Sequence, residues 1–378
     1  MIHRTQSDNI LQWLGKGKAV IVIGPRQVGK TTLVRQITQS LNKKTLWLTG
    51  DDPEARSLLD NISLARLKTI MGGHEIVVVD EAQRFTNTGL MLKLVTDHLP
   101  DVQLFVTGSS SLDIASQTKE SLTGRKFEYP LFPISFVEMC ADHGYLAERS
   151  LLEHRMLYGY YPDVVQSEPL RAQKILTDLT DGLMYKDLLT LDQIKKPSLL
   201  VKLLQALALQ VGNEVRYSEV GQLIGADTGT VEKYTDLLEQ SFVLFRLPSL
   251  NRNVRTEIKK GRKIYFYDNG IRNSIIKNFS PLALRNDTGA LWENFLLAER
   301  MKHNTYSDYR CNAYFWRTTT QQEIDYVEDA GGKLHAFEFK WQAKKDARFP
   351  KTFLDVYPDS ETQLINRDNF EAFVGMPT

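Results

Sequence analysis

The segment Gly24-Pro25-Arg26-Gln27-Val28-Gly29-Lys30-Thr31-Thr32 constrains this chain more than any other. It fits the pattern G-x-x-x-x-G-K-[ST], with the apolar run Ala19–Ile23 before it and an amphipathic stretch, Thr31–Leu41, after it. A strand, a glycine-bearing turn and a helix in that order aim backbone N–H groups into the turn, with the positive end of the helix dipole behind them. Gly24 and Gly29 let the turn curl. Lys30 can reach β and γ phosphates, and the Thr31 hydroxyl can ligate Mg2+. Pro25, Arg26, Gln27, Val28 and Thr32 complete the cradle. The expected ligand is ATP with Mg2+.

The runs Thr45–Gly50, His74–Asp80 and Gln103–Gly108 are also short, apolar and bounded by turn residues, with helical spacing between them, as at Thr88–His98. Apolar runs of this length suit strands buried on both faces, and their alternation with helices predicts a parallel sheet with crossover helices. Ile76-Val77-Val78-Val79-Asp80-Glu81 ends in two acids. Alone it could be a strand with a solvated end. Beside the phosphate loop, Asp80 is expected to hold Mg2+, directly or through water, and Glu81 to orient and deprotonate the attacking water. Gln103–Val106 leads into Thr107-Gly108-Ser109-Ser110-Ser111. Ser109 is the residue chosen there to sense a γ-phosphate, against the reading of a plain turn. Arg125, in Glu120-Ser121-Leu122-Thr123-Gly124-Arg125, is either an arginine finger for a neighbouring subunit or a surface arginine in an ion pair.

A length of 378 residues leaves room for two or three domains. The chain carries 47 basic and 46 acidic residues, so any surface for nucleic acid must be local. Cys140 and Cys311 have neither metal-ligand spacing nor a disulfide framework, and both read as reduced thiols. The opening MIHRTQSDNI lacks the apolar core of a signal peptide, and no apolar run approaches bilayer length. The expectation is a cytoplasmic protein without a membrane partner.

After Arg125 the rhythm changes, and two prolines within Tyr129–Phe136 read as a connector. Ser150–Leu209 has helical spacing. Ser218 can cap a short helix ending at Gly225, and Asp227 or Thr228 a second, with Val231, Tyr234, Leu237 and Leu238 on one face. Strands are expected at Phe242–Leu247 and Ile264–Tyr267, with Lys259-Lys260-Gly261-Arg262-Lys263 as a basic hairpin tip. This resembles a winged helix. Its second helix could lie in a DNA major groove, but it carries Glu232, Asp236 and Glu239 against Lys233, which suits a protein-contact or packing module equally.

From about Thr288 the pattern gives one helix and then antiparallel strands. Glu323–Val327 and Phe337–Lys340 alternate about a turn at Asp329–Gly332, which would bring Asp325 near Glu338 and put Glu338 and Lys340 on one face. Glu293, on the preceding helix, could be a third carboxylate. Asp325 and Glu338 could hold Mg2+ for phosphodiester cleavage, with Lys340 stabilising the developing charge. The other reading is a set of ion pairs on a solvated strand.

The order GPRQVGKTT, VVVDEAQ, TGSSS, ESLTGR, GYYPDVV, KIYFYDNG and EIDYV…FEFK is similar to that of bacterial and archaeal AAA+-like ATPases with a C-terminal restriction-endonuclease-like domain. The resemblance covers nearly the whole chain. It implies an α/β fold in three parts: an AAA-type P-loop core over residues 1–145, a helical and winged-helix region over 146–285, and a PD-(D/E)xK nuclease-like domain over 286–378. It implies an ATP site at Lys30, Thr31, Asp80 and Glu81, with Ser109 and Arg125 behind them. It also implies a nuclease-like core at Glu293, Asp325, Glu338 and Lys340. Ile324 stands where that pattern usually has proline. The expected function couples ATP to a DNA-directed activity with a metal-dependent nuclease domain; the alternative is an ATP-dependent switch or remodeller of protein partners whose nuclease-like domain only binds. By analogy with AAA-type cores the chain is expected to form a homo-oligomer, with a hexameric ring as one form.

Overall fold

The computed structural model describes residues 2–60, 62–108, 124–182, 196–251, 261–342 and 349–376. Ser109, Lys259 and Lys260 lie outside the described residues. Two compact units emerge: Met1–Ile134 with Gln240–Phe242, and Ser135–Glu239 with Val243–Thr378.

The first unit is built on five strands: β1 (Ala19–Ile23), β2 (Thr45–Thr49), β3 (Ile76–Asp80), β4 (Gln103–Gly108) and β5 (Lys126–Pro130). They lie in the order β2-β3-β4-β1-β5, and every pairing is parallel. The helices are α1 (Thr5–Gln12), α2 (Lys30–Leu41), α3 (Pro53–Asp60), α4 (Leu64–Met71) and α5 (Thr88–His98). β1 and β3 are buried at every position, as unbroken apolar runs require. Ile21, Val77, Val79 and Val106 form one core with Leu67 and Met71 from α4 and Leu92 and Val95 from α5.

The fifth strand corrects the connector reading. Tyr129 and Pro130, assigned above to a connector, finish β5, which pairs with β1 from Ala19↔Lys126 to Ile23↔Pro130. The charged positions Lys126 and Glu128 mask the strand in the sequence. An edge position tolerates both them and a terminal proline.

In the second unit, helix Tyr217–Ile224 is closed by Gly225 at φ 76°, and helix Thr228–Gln240 follows. Ser218 lies inside the first helix, whose N-cap is Arg216, so it is not the cap. Asp227 does cap the second, accepting from Thr230 N at 2.9 Å. Val231, Tyr234, Leu237 and Leu238 are buried together along it. Three strands, β6 (Glu214–Val215), β7 (Leu244–Pro248) and β8 (Arg262–Phe266), form an antiparallel sheet in the order β6-β8-β7.

The C-terminal part has helix Thr288–Tyr306 and strands β9 (Asn312–Arg317), β10 (Glu323–Ala330), β11 (Lys333–Lys340) and β12 (Glu361–Asn366). β9, β10 and β11 are antiparallel, but β12 runs parallel to β11, so the sheet is mixed rather than antiparallel throughout. A parallel neighbour needs a long return, and helix Lys351–Val356 lies on it.

The motifs GYYPDVV and KIYFYDNG meet at Asp268. Its carboxylate caps helix Asn269–Ile275 through Ile271 N (3.1 Å) and accepts from Tyr160 N (2.6 Å). A Cβ at Gly159 would sit 2.0 Å from Asp268 Oδ1, so only glycine lets these segments close. Both motifs therefore serve packing at this joint.

Candidate nucleotide site and carboxylate–lysine cluster

The phosphate loop joins β1 to α2. Gly24 and Gly29 adopt φ 157° and 95°, and Gln27 is left-handed at φ 58°. A Cβ at Gly24 would meet Leu131 O at 2.0 Å, so the loop is pressed against the backbone that follows β5. Arg4, at the start of α1, donates to Val28 O (2.8 Å) and Phe132 O (2.6 Å) and ties the loop to that same segment. Lys30 is 5% exposed, and its Nζ donates to Gly24 O (3.0 Å) and Pro25 O (2.8 Å). Its ammonium is thus curled back over the loop.

β3 delivers the acids. Thr31 Oγ1 donates to Asp80 Oδ1 and Oδ2 at 3.0 and 3.1 Å. Thr107, fully buried at the end of β4, donates to Asp80 Oδ1 and accepts from Glu81 N at 3.1 Å. Glu81 is left-handed at φ 51°, and Gln83 Nε2 donates to its Oε2 at 2.6 Å. Because β4 lies between β1 and β3, its last residues face the loop and the acids together. Lys30, Thr31, Asp80 and Glu81 therefore meet at one edge of the sheet.

Arg125 is at the opposite edge. Its carbonyl accepts from Ala19 N at the first residue of β1, whereas the loop follows the last. Five residues of strand, roughly 17 Å, separate them within one chain. Arg125 Nε pairs with Asp97 at 2.5 Å and, as the nearest cation, holds that carboxyl below its usual range.

The second cluster lies wholly in the second unit. The two-residue turn Gly331-Gly332, at φ 61° and 86°, joins β10 to β11 and sets their register. The pairing of β10 with β9 slips between Ile324 and Val327, a bulge that contains Asp325. Ile324 and Val327 consequently share one apolar cluster with Trp316, Ala336 and Phe353. Tyr326 turns the other way, against Phe337, Phe339 and Phe373. Asp325 Oδ2 accepts from Phe339 N at 2.8 Å. Lys340 Nζ is 3.0 Å from Glu338 Oε2 and 3.9 Å from Asp325 Oδ2. Burial and then the Asp325 charge push the Glu338 carboxyl up to about 7. Glu293, on helix Thr288–Tyr306, is bound by Lys263 Nζ at 3.0 Å and by the Tyr265 hydroxyl. Burial raises it to about 7 despite Lys263. Burial works against the Lys263 charge, but Glu293, Asp325 and Glu323 outweigh it and hold the ammonium above its usual range.

The sequence reading missed several of these residues. Thr107 had a visible signal, since it precedes the chosen Ser109 at a strand end. Lys263 was read as part of a basic wing. Gln83, Tyr265 and Glu323 lie within the quoted segments VVVDEAQ, KIYFYDNG and EIDYV, but nothing in their spacing assigns them a partner, and Arg4 lies in no motif.

Three stretches of the chain match family models. Residues 16–140 match a family model described as an AAA domain. Residues 149–282 and 288–372 match two models described as domains of unknown function, DUF8612 and DUF4143. The parallel sheet, the loop and the family model define the first unit as an AAA-type P-loop ATPase fold. An uncharacterized protein of Mycobacterium tuberculosis is 25% identical over 349 residues, covering 89% of this chain and 74% of the relative. An uncharacterized protein of Haemophilus influenzae is 22% identical over 71% of this chain and 73% of its own length. Among solved structures, the Walker-type ATPase PABY2304 of Pyrococcus abyssi is 16% identical, covering 73% of this chain and 96% of that one, with a TM-score of 0.49. The RuvB Holliday junction branch migration motor of Thermotoga maritima is also 16% identical, over 70% and 92%, with a TM-score of 0.31. Among the described residues, no helix is long and apolar enough to cross a membrane.

Proposed function

We propose that this protein binds ATP with Mg2+ at the loop Gly24–Thr32, hydrolyses it, and uses the turnover for a DNA-directed activity of the second unit. The observation that carries the reading is the meeting of Lys30, Thr31, Asp80 and Glu81 at one sheet edge. The Thr31 hydroxyl and the Asp80 carboxylate, 3.0 Å apart, are hard oxygen donors that suit Mg2+, which when bound would neutralise phosphate charge. Lys30 would exchange loop carbonyls for phosphate oxygens. Glu81, oriented by Gln83, would hold the attacking water and take its proton.

In this reading the three parts are those expected from the sequence. Helices Tyr217–Ile224 and Thr228–Gln240 with the sheet β6-β8-β7 serve as a winged-helix module. The region from Thr288 serves as a restriction-endonuclease-like module that binds rather than cleaves, because its carboxylates already face Lys263, Lys340 and a backbone N–H. Copies of the chain assemble as a homo-oligomer, a hexameric ring in the simplest case, with Arg125 acting on a neighbour's nucleotide. A second reading makes the C-terminal module a metal-dependent nuclease, and the proximity of Glu293, Asp325, Glu338 and Lys340 favours it.

The test is ATP hydrolysis by the pure protein with and without DNA, scoring cleavage in the same tubes with Mg2+ or Mn2+. The expected result is DNA-stimulated hydrolysis with the DNA left whole, and no nucleotide binding by Lys30→Ala. Hydrolysis that ignores DNA would move the target to a protein partner. Unchanged ATP affinity in Lys30→Ala would sink the site itself.

A further inference from the structure

The carboxylates Glu293, Asp325 and Glu338 are joined by two residues outside the nuclease-like pattern, Lys263 and Glu323. Lys263 arrives on β8 and is 1% exposed. Its Nζ lies 3.0 Å from Glu293 Oε1 and 2.5 Å from Glu323 Oε1. Tyr265, two residues along the same strand, donates its hydroxyl to the same Glu293 oxygen. A buried ammonium is thus wedged between the carboxylate of helix Thr288–Tyr306 and the acids of β10.

A divalent cation shared by Glu293 and the β10 acids does not fit this arrangement. Mg2+ takes six oxygen ligands at close to ideal octahedral geometry. Here each oxygen set already faces a donor. Glu293 faces Lys263 and Tyr265, and Glu323 faces Lys263 and, at 3.5 Å, Arg317. Asp325 accepts the Phe339 N–H, and Glu338 faces Lys340. Among the described residues, no group of three or more His, Cys, Asp or Glu is placed to hold a metal ion. Because Lys263 is tethered to a three-stranded sheet, an incoming ion would have to displace it and leave a buried ammonium unpaired.

We propose that Lys263 is the resident cation of this cluster: its ammonium fills the place between Glu293 and the β10 acids and excludes divalent metal from it. The site then joins β8 to the C-terminal sheet by charge. This holds whether or not the phosphate loop hydrolyses ATP, and it is the ground for reading the C-terminal module as one that binds without cleaving.

The test is thermal unfolding of the full chain, without nucleotide, across a MnCl2 titration. Wild type, Glu293→Gln and Asp325→Asn are expected to respond equally, so that any metal held at the phosphate loop cancels in the comparison. Lys263→Met is expected to gain a Mn2+-dependent rise of about 3 °C at ten times its Kd, and Lys263→Met with Glu293→Gln to lose it. A wild-type rise that Glu293→Gln or Asp325→Asn removes would overturn the proposal. So would a folded Lys263→Met that gains nothing. If Lys263→Met does not fold, the three chains that retain the lysine decide: equal responses support the proposal and unequal ones overturn it.

Discussion

Replacing Thr107 by valine keeps the shape of a fully buried side chain and removes only its hydroxyl. That hydroxyl donates to Asp80 Oδ1 and accepts from Glu81 N at 3.1 Å. Losing a hydrogen bond to a carboxylate costs about 1.5–3 kcal/mol, and stranding a buried N–H costs about 1–3 kcal/mol more. The effect on Glu81 is the sharper one. A non-glycine residue held left-handed, here at φ 51°, is strained by about 1–2 kcal/mol and stays there only while its surroundings fix it. Without the Thr107 anchor, Asp80 and Glu81 relax away from the loop. If roughly 2 kcal/mol of that positioning is used in the transition state, kcat falls about 30-fold. Nucleotide affinity is expected to hold, because Lys30 is fixed by its own loop. The assay is kcat and KM for ATP with Mg2+, beside direct binding of a fluorescent ATP analogue and a melting curve. Thr107→Ser, which retains the hydroxyl, is expected to stay within a few-fold of wild type. A folded Thr107→Val with wild-type kcat would refute the reasoning.

Three further outcomes are expected. Glu81→Gln should bind ATP normally but turn it over at least 100-fold more slowly, read by single-turnover hydrolysis; wild-type turnover would remove Glu81 from the base role. Arg125 is remote from the phosphate loop of its own chain, so mixing inactive Lys30→Ala and Arg125→Ala chains should partly restore hydrolysis, and no restoration would leave Arg125 to its ion pair with Asp97. Glu338 has a carboxyl pKa raised from 4.5 to about 7, so ionising it costs the folded state more than the unfolded one. That penalty is absent below pH 4.5, grows through the interval and is complete above about pH 7, on the order of 3 kcal/mol. Relative to Glu338→Gln, the wild type should therefore lose melting temperature between pH 5 and about 8; parallel curves would contradict the shift.

Much of the first unit was legible because its signals are local. Loop, helix and buried strand are each written in consecutive residues. β5 was not legible, since an edge strand with Lys126, Glu128 and Pro130 lacks the unbroken apolar run that marks the inner strands. The parallel β12 was equally hidden, because strand direction depends on the connection and not on the strand's own residues. The alternation around Asp325 predicted its proximity to Glu338 but not the bulge that separates Ile324 from Tyr326.

The sequence by itself determined that a phosphate loop sits between a strand and a helix, and that a pair of acids ends a second buried strand. These are properties of short segments, fixed by glycine conformations, residue periodicity and helix dipoles. Only the tertiary structure decided that Thr107 links Asp80 to Glu81, that Arg4 braces the loop, and that Arg125 lies at the opposite end of the strands from the phosphate loop. Only it decided that Lys263 enters the carboxylate cluster. Each of these depends on which strands become neighbours, and strand order is set by burial of the whole sheet rather than by any one segment.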